Sequence, residues 1–345
     1  MKHTLVFLLC LLLLAGCQSE APPPPQEPVP EETLSPEITA PPDTETESPE
    51  EQQPDLKAIG ANEAGKVMVL MYHEIGGEEA TWRRSTDNFR QDLQTLYEKG
   101  YRPVSLNDFL RGDINIPAGT SPVVLTFDDG TAGQFRLLEE DDNLIIDPDC
   151  AVAILQEMAA AHADFNPAAT FFIYYPVPFR QRDYIEKKLK LLHSYGFEIG
   201  NHAYNHENLA KVSPEEAVRS LAMHVRETQS ILPGYQVTTL ALPYGALPAD
   251  DSHIVSGAWE GTGYTHEALL LVGANPALSP FDTRFNPLRL PRVRADGTEM
   301  HRWLNYFDSN PGERYISDGD ERHVTVPEEL AGRIDPESLG GRTLL

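Results

Sequence analysis

Cysteine is almost missing: Cys10, Cys17 and Cys150 are the only three in 345 residues. That excludes a disulfide framework and any cysteine-rich zinc module, so the fold must rest on an apolar core. Basic residues are scarce as well, 27 Lys and Arg against 53 Asp and Glu, for a formal charge of −26. Nucleic acid is excluded as a partner on that count, because phosphate binding needs clustered cations. The apolar run at the N-terminus, Leu5 to Leu14, falls short of the roughly 20 residues a membrane span requires.

What is present at the N-terminus reads as an address. Lys2, the apolar run and the small residues after it make residues 1–16 a signal peptide. Leu14-Ala15-Gly16-Cys17 resembles the lipobox of bacterial lipoproteins. The resemblance implies lipid on Cys17 and an extracytoplasmic protein anchored to the membrane. Residues 17–57 then form a tether: positions 18–56 hold eleven prolines, eleven acids and no Lys or Arg. Such a stretch buries too little apolar surface to offset its ordering entropy. Much of the acidity therefore belongs to a stalk that holds a working head off the membrane.

The head, residues 58–308, alternates apolar runs with helical patterns. Strands are expected at 67–73, 122–130, 168–175, around 197–202 and at 237–245, with a short strand and a short helix within 102–110 and a short strand at 290–294. Helices are expected at 86–100, 150–162, 184–196 and 213–234. The last begins with a capping box, Ser213 and Glu216, with Pro214 at its first position. Cys150 is expected to pack as a small apolar residue at a helix start. Repeated β–α units imply a parallel sheet, open or closed into a barrel, with functional residues at the carboxyl ends of its strands. His73, Asp128–Asp129, His202 and Tyr244 all fall at such ends. The acidic insertion 131–149 reads as a solvated loop. In the C-terminal extension, 309–345, residues 315–326 alternate around Asp318–Gly319 like a small hairpin, followed by a tail.

The chemistry-bearing residues are a strand-end acid pair and a histidine pair. Val123-Val124-Leu125-Thr126-Phe127-Asp128-Asp129-Gly130 places two carboxylates at the end of a buried run, where an acid needs a partner or a metal. His202 and His206 stand at i and i+4, so one helical turn would face both imidazoles the same way. Two histidines and one carboxylate form a metal set that leaves positions open for water and substrate.

From about Val67 to Ala295 the chain resembles the polysaccharide deacetylases, carbohydrate esterase family four with NodB homology. Thr126-Phe127-Asp128-Asp129-Gly130 matches their first motif and His202-Ala203-Tyr204-Asn205-His206 their second. Met71-Tyr72-His73-Glu74-Ile75-Gly76 resembles the opening strand of many members, and Leu240 to Gly245 their third motif. The resemblance implies an α/β fold, a distorted (β/α)7 barrel. It implies that Asp129, His202 and His206 bind a divalent metal, zinc with cobalt or nickel as alternatives. Asp128 would be the general base, and the backbone N–H of Tyr244 would meet substrate and hold the oxyanion. The implied reaction is hydrolysis of N-acetyl groups on an envelope or extracellular polysaccharide containing N-acetylglucosamine, by a monomer.

The departures from that pattern are specific. Ala203 replaces a Ser or Thr that steadies the second motif, and Ala241 stands where an Arg usually orients the base. Arg292, also a candidate substrate contact, or Arg294 is a possible replacement for it. No Leu-x-His supplies the leaving-group acid, which makes His73 the candidate acid. Two alternatives follow: a metal-retaining carbohydrate-binding protein without turnover, or an esterase acting on O-acetyl groups. His193 and His224 read as solvated helix residues, His301 as a helix-start residue, and Trp259 fits either a sugar-stacking groove or the core.

Overall fold

The computed structural model describes residues 54–141 and 143–345; Cys17, the signal peptide and nearly all of the tether lie outside them. Eight strands make the main sheet: β1 Met68–Tyr72, β2 Tyr101–Val104, β3 Ser121–Asp128, β4 Thr170–Ile173, β5 Glu198–Asn201, β6 Thr239–Ala241, β7 Ala268–Leu270 and β8 Val293–Arg294. Their order is β7-β6-β5-β4-β3-β1-β8, with β2 added alongside β3. Every pairing is parallel. The two ends of the order meet at Leu290, whose N–H donates to Leu269 and whose carbonyl accepts from Leu271. Seven strands therefore curl into a distorted barrel, as the sequence leads one to expect.

The helices form where the sequence caps them. Ser85 accepts a hydrogen bond from the Asn88 N–H at the start of α1, Thr86–Glu98, whose buried face carries Phe89, Leu93 and Leu96. Helix α2 is Leu106–Arg111, α3 Ala151–Ala161, α4 Ile185–Ser194, α5 Pro214–Ile231 and α6 Glu299–Ser309. The Ser213–Glu216 capping box of α5 is complete, whereas buried Cys150 holds the N-cap position of α3 without a side-chain capping bond.

Because strand side chains alternate between faces, each ring strand feeds two cores. Leu70, Tyr72, Leu125 and Phe127 pack outward with α1, α3 and α6 residues such as Phe89, Leu155 and Leu304. Val69, Val124, Phe172, Ala241 and Leu270 face one another from five strands and fill the interior. Gly200 leaves room for that filling, since a Cβ there would stand 2.3 Å from the Phe172 ring. Asp128 shares the inward parity of Val124 and Thr126, and Arg292 that of Arg294, which is why both lie inside the barrel mouth.

Two segments depart from the sequence reading. Residues 131–149 are not an unstructured loop: Leu137–Glu140 and Asn143–Ile146 pair as an antiparallel hairpin. Residues 315–326 are not a hairpin. Asn62 and Ile316 exchange backbone hydrogen bonds, the Glu63 N–H donates to Thr325, and His323–Val324 pairs in parallel with Thr343–Leu344. Tyr315, Val324, Val326 and Ile334 join the interior cluster with Val67 and Val69. The apolar face of this segment thus finds partners far away in sequence instead of folding back on itself.

Candidate metal and catalytic site

Strand β3 delivers Asp128 to the barrel mouth, and the chain then turns sharply. Asp129 has φ 74° and Gly130 φ 52°; the left-handed conformation at a non-glycine residue costs on the order of 1–3 kcal/mol and persists only where its surroundings enforce it. Part of that enforcement is the buried Gln134, whose side-chain amide donates to the Asp128 carbonyl at 2.5 Å and the His73 carbonyl at 2.6 Å. The ends of β1 and β3 are locked together by this one side chain.

The histidines come together by a route that the i, i+4 spacing did not foretell. No helix carries them: after β5 the chain loops, with φ 59° at Ala203 and 58° at His206. The two rings lie 4.9 Å apart. Asn201 Oδ1 accepts from the Ala203 N–H, Ser220 Oγ on α5 from the Tyr204 N–H at 2.7 Å, and Glu207 Oε2 from the Asn205 N–H. Ser220 in turn donates to Glu207 at 2.6 Å. A hydroxyl from α5 thus braces the loop in which Ala203 has none.

His202 Nε2 and His206 Nε2 approach the same oxygen, Asp129 Oδ1, at 3.4 and 3.3 Å. The three potential ligand atoms lie within 4.8 Å of one another. His202 Nδ1–H donates to the Ala241 carbonyl at 2.8 Å, which turns Nε2 toward Asp129. Lone pairs converging in this way are compatible only with a cation or a proton between them. An N,N,O set suits zinc and its neighbours, so the residues present fit a divalent metal. Burial alone would raise the Asp129 carboxyl, but His202 and His206 outweigh it and hold the group well below the usual carboxylate range.

Asp128 is buried, and Arg292 neutralises it. Nη1 donates to Oδ1 and Nη2 to Oδ2, both at 2.7 Å. Arg292 itself is held by the Leu271 carbonyl and Thr126. Burial pushes the Asp128 carboxyl up, yet Arg292, with a smaller contribution from His202, keeps it below its ordinary value. Arg292 therefore meets Asp128 from a different part of the sheet than the strand that carries Ala241. It has no exposed surface, which corrects the expectation that it touches substrate. Arg294 goes elsewhere, to Asp296 and the face of Trp82.

A cavity of about 400 Å³ joins these groups, lined by His73, Trp82, Asp128, Asp129, His202, His206, Leu242, Tyr244 and Val272. Tyr244 has φ 60°, is largely exposed, and stacks edge-on to His206 at 4.7 Å. His73 lies 4.7 Å from the Trp82 ring, and burial pulls its imidazole below the ordinary value. Sequence reasoning missed Gln134, Ser220, Glu207 and Trp82. His224 was misread: it is fully buried, with Nε2 on the Ile173 carbonyl. It falls on the Ala217, Leu221, Thr228 stripe of α5, a signal that was available in the spacing. Trp259 belongs to a second antiparallel hairpin, Ser256–Trp259 with Thr262–Thr265, between Arg219 and Arg226, and does not line the cavity.

Fold and site define an α/β barrel with an acid pair and a histidine pair at its mouth. The family model for polysaccharide deacetylase matches residues 115–256. A search of curated proteins gives no match. Three solved structures share the fold. A polysaccharide deacetylase from Bacillus cereus is 21% identical over 70% of this chain and 68% of that one, with a TM-score of 0.50. The Streptococcus pyogenes deacetylase PplD in complex with acetate is 18% identical over 70% and 97%, TM-score 0.51. IcaB from Ammonifex degensii is 18% identical over 71% and 98%, TM-score 0.50. The matched segment, the fold and the site together support a hydrolase of the polysaccharide deacetylase type, acting on carbon–nitrogen bonds.

Proposed function

We propose that this protein removes N-acetyl groups from an envelope or extracellular polysaccharide containing N-acetylglucosamine, in a metal-dependent reaction. The observation that carries the reading is the pairing of two adjacent carboxylates with separate partners. Asp129 meets the histidines, and Asp128 meets Arg292. One acid is thereby freed for proton transfer while its neighbour serves as a ligand.

Asp129, His202 and His206 would hold the metal, zinc or a similar ion, which when bound polarises the acetyl carbonyl and makes water more acidic. Asp128 accepts the proton of the attacking water on a carboxylate oxygen; each oxygen keeps a lone pair beyond the one Arg292 uses. The Tyr244 N–H holds the developing oxyanion. His73 delivers a proton to the leaving amine nitrogen. Leu242, Val272 and Trp82 supply apolar wall beside these groups. Ionisation of Asp128 by a buried guanidinium favours turnover over carbohydrate binding alone, since a binder has no use for a charged acid beside the ligand set. At its N-terminus the chain would carry lipid on Cys17 and display this head outside the cell membrane.

The test is acetate release from N-acetylglucosamine oligomers and from O-acetylated counterparts, with Asp128→Asn as control. Release from the amides that drops by orders of magnitude in Asp128→Asn supports the reading. Release confined to the esters, or none with any polymer, sinks it.

A further inference from the structure

Arg180 lies against the Asp129 turn, and the reaction above gives it no part. It follows Phe179, and both residues hold left-handed conformations, φ 57° and 60°. Two consecutive non-glycine residues in that region are costly, and buried contacts pin them. The Phe179 N–H donates to the Gly130 carbonyl at 2.7 Å. Its carbonyl accepts from the buried Lys188 Nζ at 3.1 Å, and its ring packs against Phe135 and Phe171.

The strained turn brings the exposed Arg180 guanidinium against the backbone of Asp129. Nη2 donates to the Asp129 carbonyl at 3.2 Å and to the Tyr174 hydroxyl at 2.6 Å; Nη1 reaches the Val177 carbonyl at 3.4 Å. The guanidinium also lies over the Tyr174 ring, which is 5.2 Å from that of His206. Other arginines by the cavity are matched, Arg83 with Glu74 and Arg294 with Asp296. Among the described residues Arg180 has no carboxylate partner, and its Nε–H is uncommitted. In a chain with nearly twice as many acids as bases, an unmatched cation beside the site offers a place for an anion.

We propose that Arg180 selects a carboxylate on the sugar neighbouring the one that loses its acetyl group, making the preferred substrate an acidic N-acetylated glycan. This rests on the deacetylase reading. The carboxylate takes charge-assisted hydrogen bonds from the free Nε–H and an Nη1 proton. Its source is either a uronic acid or an ether-linked lactyl group, which carry the same chemistry.

The experiment compares full-length protein on N-acetylglucosamine oligomers alternating with glucuronic acid, and on oligomers alternating with N-acetylmuramic acid. Each is run against its carboxyl-reduced form. Wild type is expected to lose about tenfold in kcat/KM on carboxyl reduction in one series, as for loss of a hydrogen bond to a charged group. In Arg180→Gln that preference should collapse toward unity, with Arg180→Lys intermediate. Which series responds identifies the source. Equal rates on acidic and reduced forms in both series, or an unchanged preference in Arg180→Gln, overturn the proposal. Absence of acetate from every substrate overturns the deacetylase reading instead. In that case calorimetry of the same pairs is read instead: tighter binding of the acidic form to wild type that is lost in Arg180→Gln supports the role of Arg180, and equal binding of both forms overturns it.

Discussion

Arg292 and Asp128, 164 residues apart, face each other through two hydrogen bonds of 2.7 Å in the interior of the barrel mouth. Neither side chain has appreciable solvent access. The pair ties the segment entering β8 to the end of β3 across β1, and it fixes the charge on the proposed base.

Removing one partner is therefore far worse than removing both. Arg292→Met leaves an uncompensated carboxylate in the interior and should cost about 3–5 kcal/mol. The double variant Arg292→Met/Asp128→Asn should regain a substantial part of that loss. Denaturant unfolding of the two single variants and the double measures the coupling directly. Additive effects would mean that the pair is not a unit.

Metal removal should affect function without unfolding the protein, because the apolar clusters that build the barrel include none of the three ligand side chains. Chelation is expected to abolish acetate release while leaving circular dichroism unchanged. Zinc at a hundredfold excess over its dissociation constant should then add about 2.7 kcal/mol of stability, seen as a rise of several degrees in Tm. His206→Ala should remove that rise. A zinc-independent Tm in wild type would argue against the ligand assignment.

His73 faces the cavity from the end of β1, and among the described residues no protein group hydrogen-bonds to its ring nitrogens. As donor to the leaving amine it should contribute about 10²–10⁴-fold to kcat. His73→Gln should show that loss on amide substrates with zinc content unchanged. Ester substrates, whose leaving group needs less help, should suffer less. An equal loss on both would assign His73 to binding rather than proton delivery.

The strands, the main helices and the strand-end acids were legible because each is set by local pattern: Val123 to Phe127 can only be a buried run, and Ser213 with Glu216 can only begin a helix. The second histidine loop was not, since helical spacing and a loop with two left-handed residues place positions 202 and 206 equally close. Arg292 could be named as one of two candidate arginines for orienting Asp128, but the choice between it and Arg294 could not be made. A two-residue strand shows no periodicity, and inward parity emerges only when Leu290 pairs between Leu269 and Leu271. The C-terminal segment failed for the same reason, its partners at Asn62 and Lys66 being some 250 residues away.

That C-terminal contact carries a titrating group. Glu63 Oε2 accepts from the Thr325 N–H and Oε1 from the Tyr315 hydroxyl, while Asp318, held to Thr325 Oγ1, lies alongside. Burial first, then the charge of Asp318, push the Glu63 carboxyl up to about 8. Unfolded, the group returns to an ordinary value near 4.5. Between these values the folded state binds more proton than the unfolded one, so the stability this group contributes is complete below about 4.5 and is lost as pH rises through about 8. Glu63→Gln keeps an acceptor for the Thr325 amide and carries no charge. It should match wild type near pH 5 and become the more stable protein at pH 8.5. Buried His224 and His266, drawn down to about 3 and about 4, titrate alike in both proteins, so the difference between the two Tm–pH curves isolates Glu63. Parallel curves across that range would mean the carboxyl ionises as freely in the fold as outside it.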